Sequence, residues 1–222
     1  MKIFIDTANL AQIKEINELG ILDGVTTNPS LMAKEGITGK SAIFKHYKTI
    51  CETVQGGDIS AEVVTTSFNG MIEEGQELAG IHKNIVVKIP MIKDGVKAIS
   101  WLTKKGVRVN CTLVFSAGQA MLAAKAGAFY VSPFIGRIDD SGWQGTELIE
   151  QIAHIFTVQQ YPTQILAASI RSSNQITTCA ALGAHACTSP LEPILGLLKH
   201  PLTDIGLKKF LEDAQKSRGV PA

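Results

Sequence analysis

Short runs of β-branched and apolar residues alternate with longer amphipathic stretches along the whole chain. The runs at Lys2–Asp6, Gly24–Thr27, Asp58–Val64, Asn84–Ile89, Val107–Leu113, Phe129–Phe134, Gln164–Ser169 and His185–Thr188 predict strands. Between them, apolar positions recur every three or four residues and predict helices, among them Leu10–Leu19, Ile43–Val54, Met71–Ala79, Gly95–Lys105 and Gly118–Ala126. Eight strands, each followed by a helix, imply parallel pairing through right-handed crossovers. Such a sheet either closes into a barrel or stays open and doubly wound, and nearly even units favour closure. The expectation is a single-domain α/β protein spanning residues 1–222, a (β/α)8 TIM barrel.

Local chemistry supports several helix starts. Ser116-x-x-Gln119 and Ser172-x-x-Gln175 match a capping box, and Ser189-Pro190-x-Glu192 puts proline at a first helical position. Beyond the eighth unit, Thr203–Ser217 predicts an additional C-terminal helix with Leu207, Phe210, Leu211 and Ala214 on one face. That face fits either a lid on the protein's own barrel or an arm packed on a neighbouring subunit.

Composition narrows the function classes. Hydrophobic residues make up 45% of the 222 and charged residues 18%, enough to build a large core. Basic and acidic residues nearly balance, at 21 and 20, and the only local basic clusters are Lys104–Lys105 and Lys208–Lys209. Neither a nucleic-acid partner nor a membrane is therefore expected. The first apolar run carries Asp6 and lacks a cleavage site, so it reads as a strand and not as a signal peptide. Cys51, Cys111, Cys179 and Cys187 have no metal-finger spacing and read as reduced thiols of a cytoplasmic protein. The five histidines form no metal-binding motif, and no metal is expected.

Side chains two apart on a strand share a face. Val86 and Lys88 therefore share one face of the fourth strand, and Val87 and Ile89 the other. A lysine in so apolar a strand is costly unless paired or neutral. It either snorkels to the barrel rim or serves as an amine that attacks a carbonyl, because low dielectric disfavours its charged form. Other strands end in polar pairs on one face: Phe4 with Asp6, Ser60 with Glu62, Asn110 with Thr112, Ser132 with Phe134, and Ser169 with Arg171. Asn28 follows the second strand directly. Each alone has an ordinary explanation. Asp6 or Thr7 can start a helix, Asn28 can make a turn before proline, and Glu62 can be solvated. Together they aim polar groups at the carboxyl ends of the strands, where barrel active sites are built. Arg137 and Arg171 follow the sixth and seventh strands, and a guanidinium fork there suits a phosphate. The alternative for Arg137 is a surface ion pair with Asp139 or Asp140.

Five segments carry a family likeness: Phe4-Ile5-Asp6-Thr7-Ala8, Gly24-Val25-Thr26-Thr27-Asn28-Pro29-Ser30-Leu31, Val86-Val87-Lys88-Ile89-Pro90, Asn110-Cys111-Thr112-Leu113-Val114-Phe115-Ser116 and Ser132-Pro133-Phe134-Ile135-Gly136-Arg137-Ile138-Asp139-Asp140. In this order they resemble the short-subunit branch of the transaldolase family, which includes fructose-6-phosphate aldolase. The resemblance implies a cofactor-free Schiff-base mechanism. Lys88 would capture the ketose carbonyl and Asp6 would take the proton of the hydroxyl beside the breaking bond. Glu62 and Thr112 would hold and activate a water. Asn28 and Asn110 would bind hydroxyls of the three-carbon fragment with help from Ser132, and Arg137, Ser169 and Arg171 would hold the phosphate. Aldolases of the branch usually carry glutamine where this chain has Glu62 and tyrosine where it has Phe134, so both residues point to transaldolase. The resemblance also implies a homodecamer of two five-membered rings with exchanged C-terminal helices. The competing expectations are a fructose-6-phosphate aldolase and, more remotely, a non-catalytic sugar-phosphate-binding barrel.

Overall fold

A computed structural model describes residues 1–217. Its strands are β1 Lys2–Asp6, β2 Gly24–Thr26, β3 Asp58–Glu62, β4 Ile85–Pro90, β5 Val109–Val114, β6 Tyr130–Pro133, β7 Gln164–Ala167 and β8 Ala186–Ser189. All neighbours pair in parallel, and β8 returns to β1, closing the barrel. The helices are α1 Leu10–Glu18, α2 Pro29–Lys34, α3 Lys40–Thr53, α4 Phe68–Ala79, α5 Lys93–Lys104, α6 Ala117–Lys125, α7 Ile135–Asp140, α8 Gly145–Val158, α9 Ser173–Ala181, α10 Leu191–Gly196 and α11 Pro201–Ser217. The (β/α)8 architecture with a C-terminal helix is therefore the observed one.

Alternation along the strands divides the interior into two cores. Outward residues such as Ile5, Val25, Ile59, Val87, Ile89 and Cys111 pack under the helices as one continuous cluster. Inward residues Phe4, Val86, Tyr130, Leu166 and Ala186 fill the barrel itself. Gly24 makes that filling possible, because a Cβ there would collide with the Asp58 carbonyl and lie 2.7 Å from the Phe4 ring. Below this apolar plug, Lys2 donates to the Tyr130 hydroxyl at 3.1 Å and that hydroxyl donates to Asp58 at 2.9 Å. Arg108 closes the network with a salt bridge to Asp58. The amino end of the barrel is thus sealed by paired charges, leaving the carboxyl end as its open mouth.

Local chemistry differs from expectation at three helix starts. Ser172 and Gln175 form the complete capping box, whereas Gln119 reaches past Ser116 to accept from Phe115 N–H at 2.7 Å. Ser189 ends β8 and Pro190 is itself the cap residue of α10, so proline stands one position earlier than predicted. α1 is capped by Asn9, which accepts from the amides of Ala11 and Gln12. Neither Asp6 nor Thr7 starts that helix. Leu113 breaks the regular end of β5 with φ 59°, beside a register shift between Cys111 and Val114. α11 has no buried residue, so it does not serve as a lid on its own barrel.

Candidate active site

The strand ladder sets the first contact of the site. Glu62 is the register partner of Lys88, and Lys88 is that of Asn110. Adjacent parallel strands project like-placed side chains to the same side, so a carboxylate and a carboxamide flank the amine. Lys88 is 6% exposed, and its Nζ lies 3.1 Å from Glu62 Oε2 and 3.4 Å from the Thr27 carbonyl. The nitrogen is thus held inside the mouth and does not snorkel into solvent. Glu62 is half-buried against it and is not free in solution.

A cavity of about 120 Å³ opens beside the amine. Its walls include Asp6, Asn28, Ser132, Phe134, Arg137 and Ser169. Asp6 Oδ1 accepts the hydroxyl proton of Thr26 at 2.6 Å, and Thr26 lies another 2.6 Å from the Thr188 hydroxyl. Asn28 performs two jobs. Its Oδ1 caps α2 by accepting from Leu31 N–H at 3.0 Å, which leaves the Nδ2 donor for the cavity. The turn-residue explanation and the binding explanation therefore describe different ends of one side chain.

Deeper residues form the supporting layer. Asn110 is fully buried; it donates to Ser60 at 3.1 Å and accepts from Ser132 at 2.7 Å. That chain fixes Ser132 at the cavity wall. Thr112 is also fully buried, and its hydroxyl has no hydrogen-bond partner among the described residues. An unpaired buried hydroxyl carries a desolvation cost, which a small bound polar molecule would relieve. Glu62, Asn110 and Thr112 do not line the cavity beside Asp6; they stand behind and beside Lys88.

The two arginines separate. Arg137 lines the cavity, its guanidinium 5.0 Å from the centre of the Phe134 ring, and among the described residues it makes no ion pair. Arg171 instead forms a two-pronged pair with Asp140 across the mouth. The ion pair that was the alternative for Arg137 is made by Arg171, with Asp140 at the end of α7. Gly136 lets these segments meet: a Cβ there would collide with the Ser169 carbonyl and sit 3.0 Å from Arg171 Nε. Ser169 itself holds φ 59°, a left-handed backbone that costs a non-glycine residue energy and that recurs at functional sites.

Thr26, Ala168 and Thr188 also line the cavity. Thr26 and Thr188 follow from the same two-residue alternation once it is applied to β2 and β8, where Gly24 and Thr26, and Ala186 and Thr188, share a face, and Ala168 lies just past β7, bridged to Phe134. Tyr47 is a fourth addition. Its buried hydroxyl accepts the Glu62 N–H at 3.3 Å. Burial chiefly, and then nearby Glu62 and Glu74, push this phenol above its ordinary range, so it stays protonated. No strand pattern announces a residue that reaches the site from α3.

Known proteins match the chain over nearly its full length. A family model described as Transaldolase/Fructose-6-phosphate aldolase covers residues 3–219. A probable transaldolase of Cytophaga hutchinsonii is 63% identical over 219 residues, 99% of this chain and 100% of the relative. A probable transaldolase of Parabacteroides distasonis is 62% identical over the same shares of both chains. One from Porphyromonas gingivalis is 59% identical over 97% of this chain and 98% of its own. With a barrel mouth built around a buried lysine and two carboxylates, and likeness of this extent, the chain belongs to the transaldolase/fructose-6-phosphate aldolase family.

Proposed function

We propose that the protein is a transaldolase that carries a dihydroxyacetone unit from a ketose phosphate to an aldose phosphate through a Schiff base on Lys88. Sedoheptulose 7-phosphate or fructose 6-phosphate would be the donor, and glyceraldehyde 3-phosphate or erythrose 4-phosphate the acceptor. These are the exchanges of the non-oxidative pentose phosphate pathway, in the cytoplasm. The observation that carries the proposal is the Lys88 amine, buried and 3.1 Å from the Glu62 carboxylate, beside a cavity that Asp6 also lines.

The positions of the side chains support the following steps. The Lys88 amine attacks the C2 carbonyl, and the resulting carbinolamine loses water to give an iminium ion. Glu62 and the unpartnered Thr112 hydroxyl hold the water that moves protons between these species. Asp6 then takes the proton of the C4 hydroxyl. The C3–C4 bond breaks, its electron pair flows to the iminium nitrogen as an enamine forms, and the aldose phosphate leaves. The acceptor aldehyde reverses these events and its oxygen recovers the proton. Asn28 Nδ2, Ser132 and the buried Asn110 behind it bind the retained fragment, while Arg137 and Ser169 hold the phosphate at the rim. Arg171 joins them by exchanging Asp140 for the dianion.

The exposed apolar face of α11 supports a homo-oligomer. Leu202, Ile205 and Phe210 are 64–72% exposed, an uncovered surface that a neighbouring subunit would bury. The decamer implied by the family resemblance would do so.

Two measurements test the activity. Borohydride with fructose 6-phosphate should reduce a covalent adduct onto Lys88 that Lys88→Met cannot form. A wild type that traps nothing would leave a binding barrel only. Cleavage of fructose 6-phosphate should then require erythrose 4-phosphate. Steady release of free dihydroxyacetone, unchanged by the acceptor, would make the protein a fructose-6-phosphate aldolase instead. Acidic Glu62 and apolar Phe134 favour the transferase, because a phenol at position 134 would add a hydrogen-bonding group that delivers protons and water to the enamine.

A further inference from the structure

Thr26 has one hydroxyl proton and stands 2.6 Å from two oxygens, Asp6 Oδ1 and Thr188 Oγ1. It can donate to only one of them. A carboxylate has no proton to give, so while Asp6 is the base, Thr26 must donate to Oδ1. The short contact with Thr188 is then a hydrogen bond only if Thr188 donates to Thr26. Proton counting thus fixes a direction: Thr188 to Thr26 to Asp6. Thr26 is 2% and Thr188 3% exposed, so both hydroxyls are turned mainly toward protein. The Thr188 hydroxyl has no other hydrogen-bond partner among the described residues.

The same count distinguishes the two carboxylate oxygens. Oδ1 is engaged by Thr26, whereas no hydrogen bond from the described residues reaches Oδ2. Asp6 itself lines the cavity. Successive hydroxyls polarise one another, and bonds to an ionised acceptor are the stronger kind. The pair therefore pins the carboxylate by one oxygen and leaves the other as its free base.

We infer that Thr188 is a positioning residue for the Asp6 base, acting through Thr26, and that Asp6 Oδ2 is the atom that receives the substrate proton. The inference rests on the proposed role of Asp6 in carbon–carbon cleavage. It places the effect of Thr188 after Schiff-base formation, which belongs to Lys88 and Glu62 on the other side of the mouth.

Thr188→Val keeps the shape of the side chain and removes its hydroxyl, which makes the step separable. Turnover should fall about tenfold, the equivalent of one ordinary hydrogen bond. KM for fructose 6-phosphate and the yield of borohydride-trapped adduct should both stay within about twofold of wild type. Thr188→Ser should restore turnover, and Thr188→Ala, which removes the hydroxyl without adding a methyl, should lower turnover by a similar factor at unchanged KM and adduct yield. Wild-type turnover in both valine and alanine variants would overturn the inference. So would parallel loss of adduct and turnover, which marks a residue that merely supports the fold. Failure of the wild type to trap or transfer is a separate result, because it removes the proposed activity itself.

Discussion

Glu62 is held from two directions, and only one belongs to the barrel. Its carboxylate meets Lys88, but its N–H points to the side where β2 has already ended. Thr26 and Ser60 are the last registered pair there, so the ladder offers Glu62 no carbonyl. Tyr47 supplies the missing acceptor from α3. Tyr47→Phe should therefore cost about 1 kcal/mol in urea unfolding, the range for one buried hydrogen bond. It should also slow adduct formation severalfold while leaving KM unchanged, and in a Glu62→Ala background the kinetic effect should vanish. A Tyr47→Phe protein with wild-type trapping kinetics would show that the phenol only packs. The inward residues of the mouth were legible because a two-residue period decides which way Asp6, Glu62, Lys88 and Ser132 point. Tyr47 was not, since its contact spans a helix and a strand 15 positions apart with no shared pattern. The arginines were legible only as residue types; whether Arg137 or Arg171 meets Asp140 depends on how two loops fold over Gly136.

At the scale of elements, α11 is the outlier. Other α-helices bury a stripe against the barrel, but α11 exposes Leu207 and Leu211 at 57% and Phe210 at 72%. A helix with so much uncovered apolar surface lowers its free energy by meeting another surface. Sedimentation of the intact protein should show a stable oligomer, and the double substitution Leu207→Asp with Phe210→Asp should shift it to smaller species while the barrel stays folded. An unchanged sedimentation profile would mean that α11 holds no subunits together. The barrel was readable from sequence because strand period, helix period and unit length all agree on it. Strand ends were less so. β5 was expected to end at Leu113 and runs to Val114, because the left-handed backbone at Leu113 inserts an irregularity that no residue type signals. β7 ends at Ala167, short of Ser169, where the chain must turn early to bring Ser169 to the cavity wall. Such departures cluster at the mouth, where function overrides regular geometry.

Across the whole molecule, the thiols are placed for stability at neutral pH and against it at high pH. Cys51, Cys111, Cys179 and Cys187 are all buried and free. Burial pushes Cys51 from 9.0 to about 11, and Cys111, Cys179 and Cys187 from 9.0 to about 12. Tyr130, inside the barrel beside Asp58, is pushed up as well, first by burial and then by that carboxylate. The sign of the effect follows from proton counting. Between 9 and the raised values, the unfolded chain has released thiol protons that the folded chain still binds. The unfolded state then holds fewer protons, so stability falls as pH rises, while below 9 the thiols contribute no slope. Each thiol within its window removes roughly 1.4 kcal/mol of stability per pH unit. Urea unfolding under reducing conditions should therefore show a midpoint that the thiols leave level up to pH 9 and that drops steeply by pH 10.5. Replacing Cys179 with alanine should make the drop shallower despite lowering stability at pH 8. A wild-type midpoint as high at pH 10.5 as at pH 8 would mean that the thiols ionise in the folded protein as readily as in water, which their burial under the helices opposes.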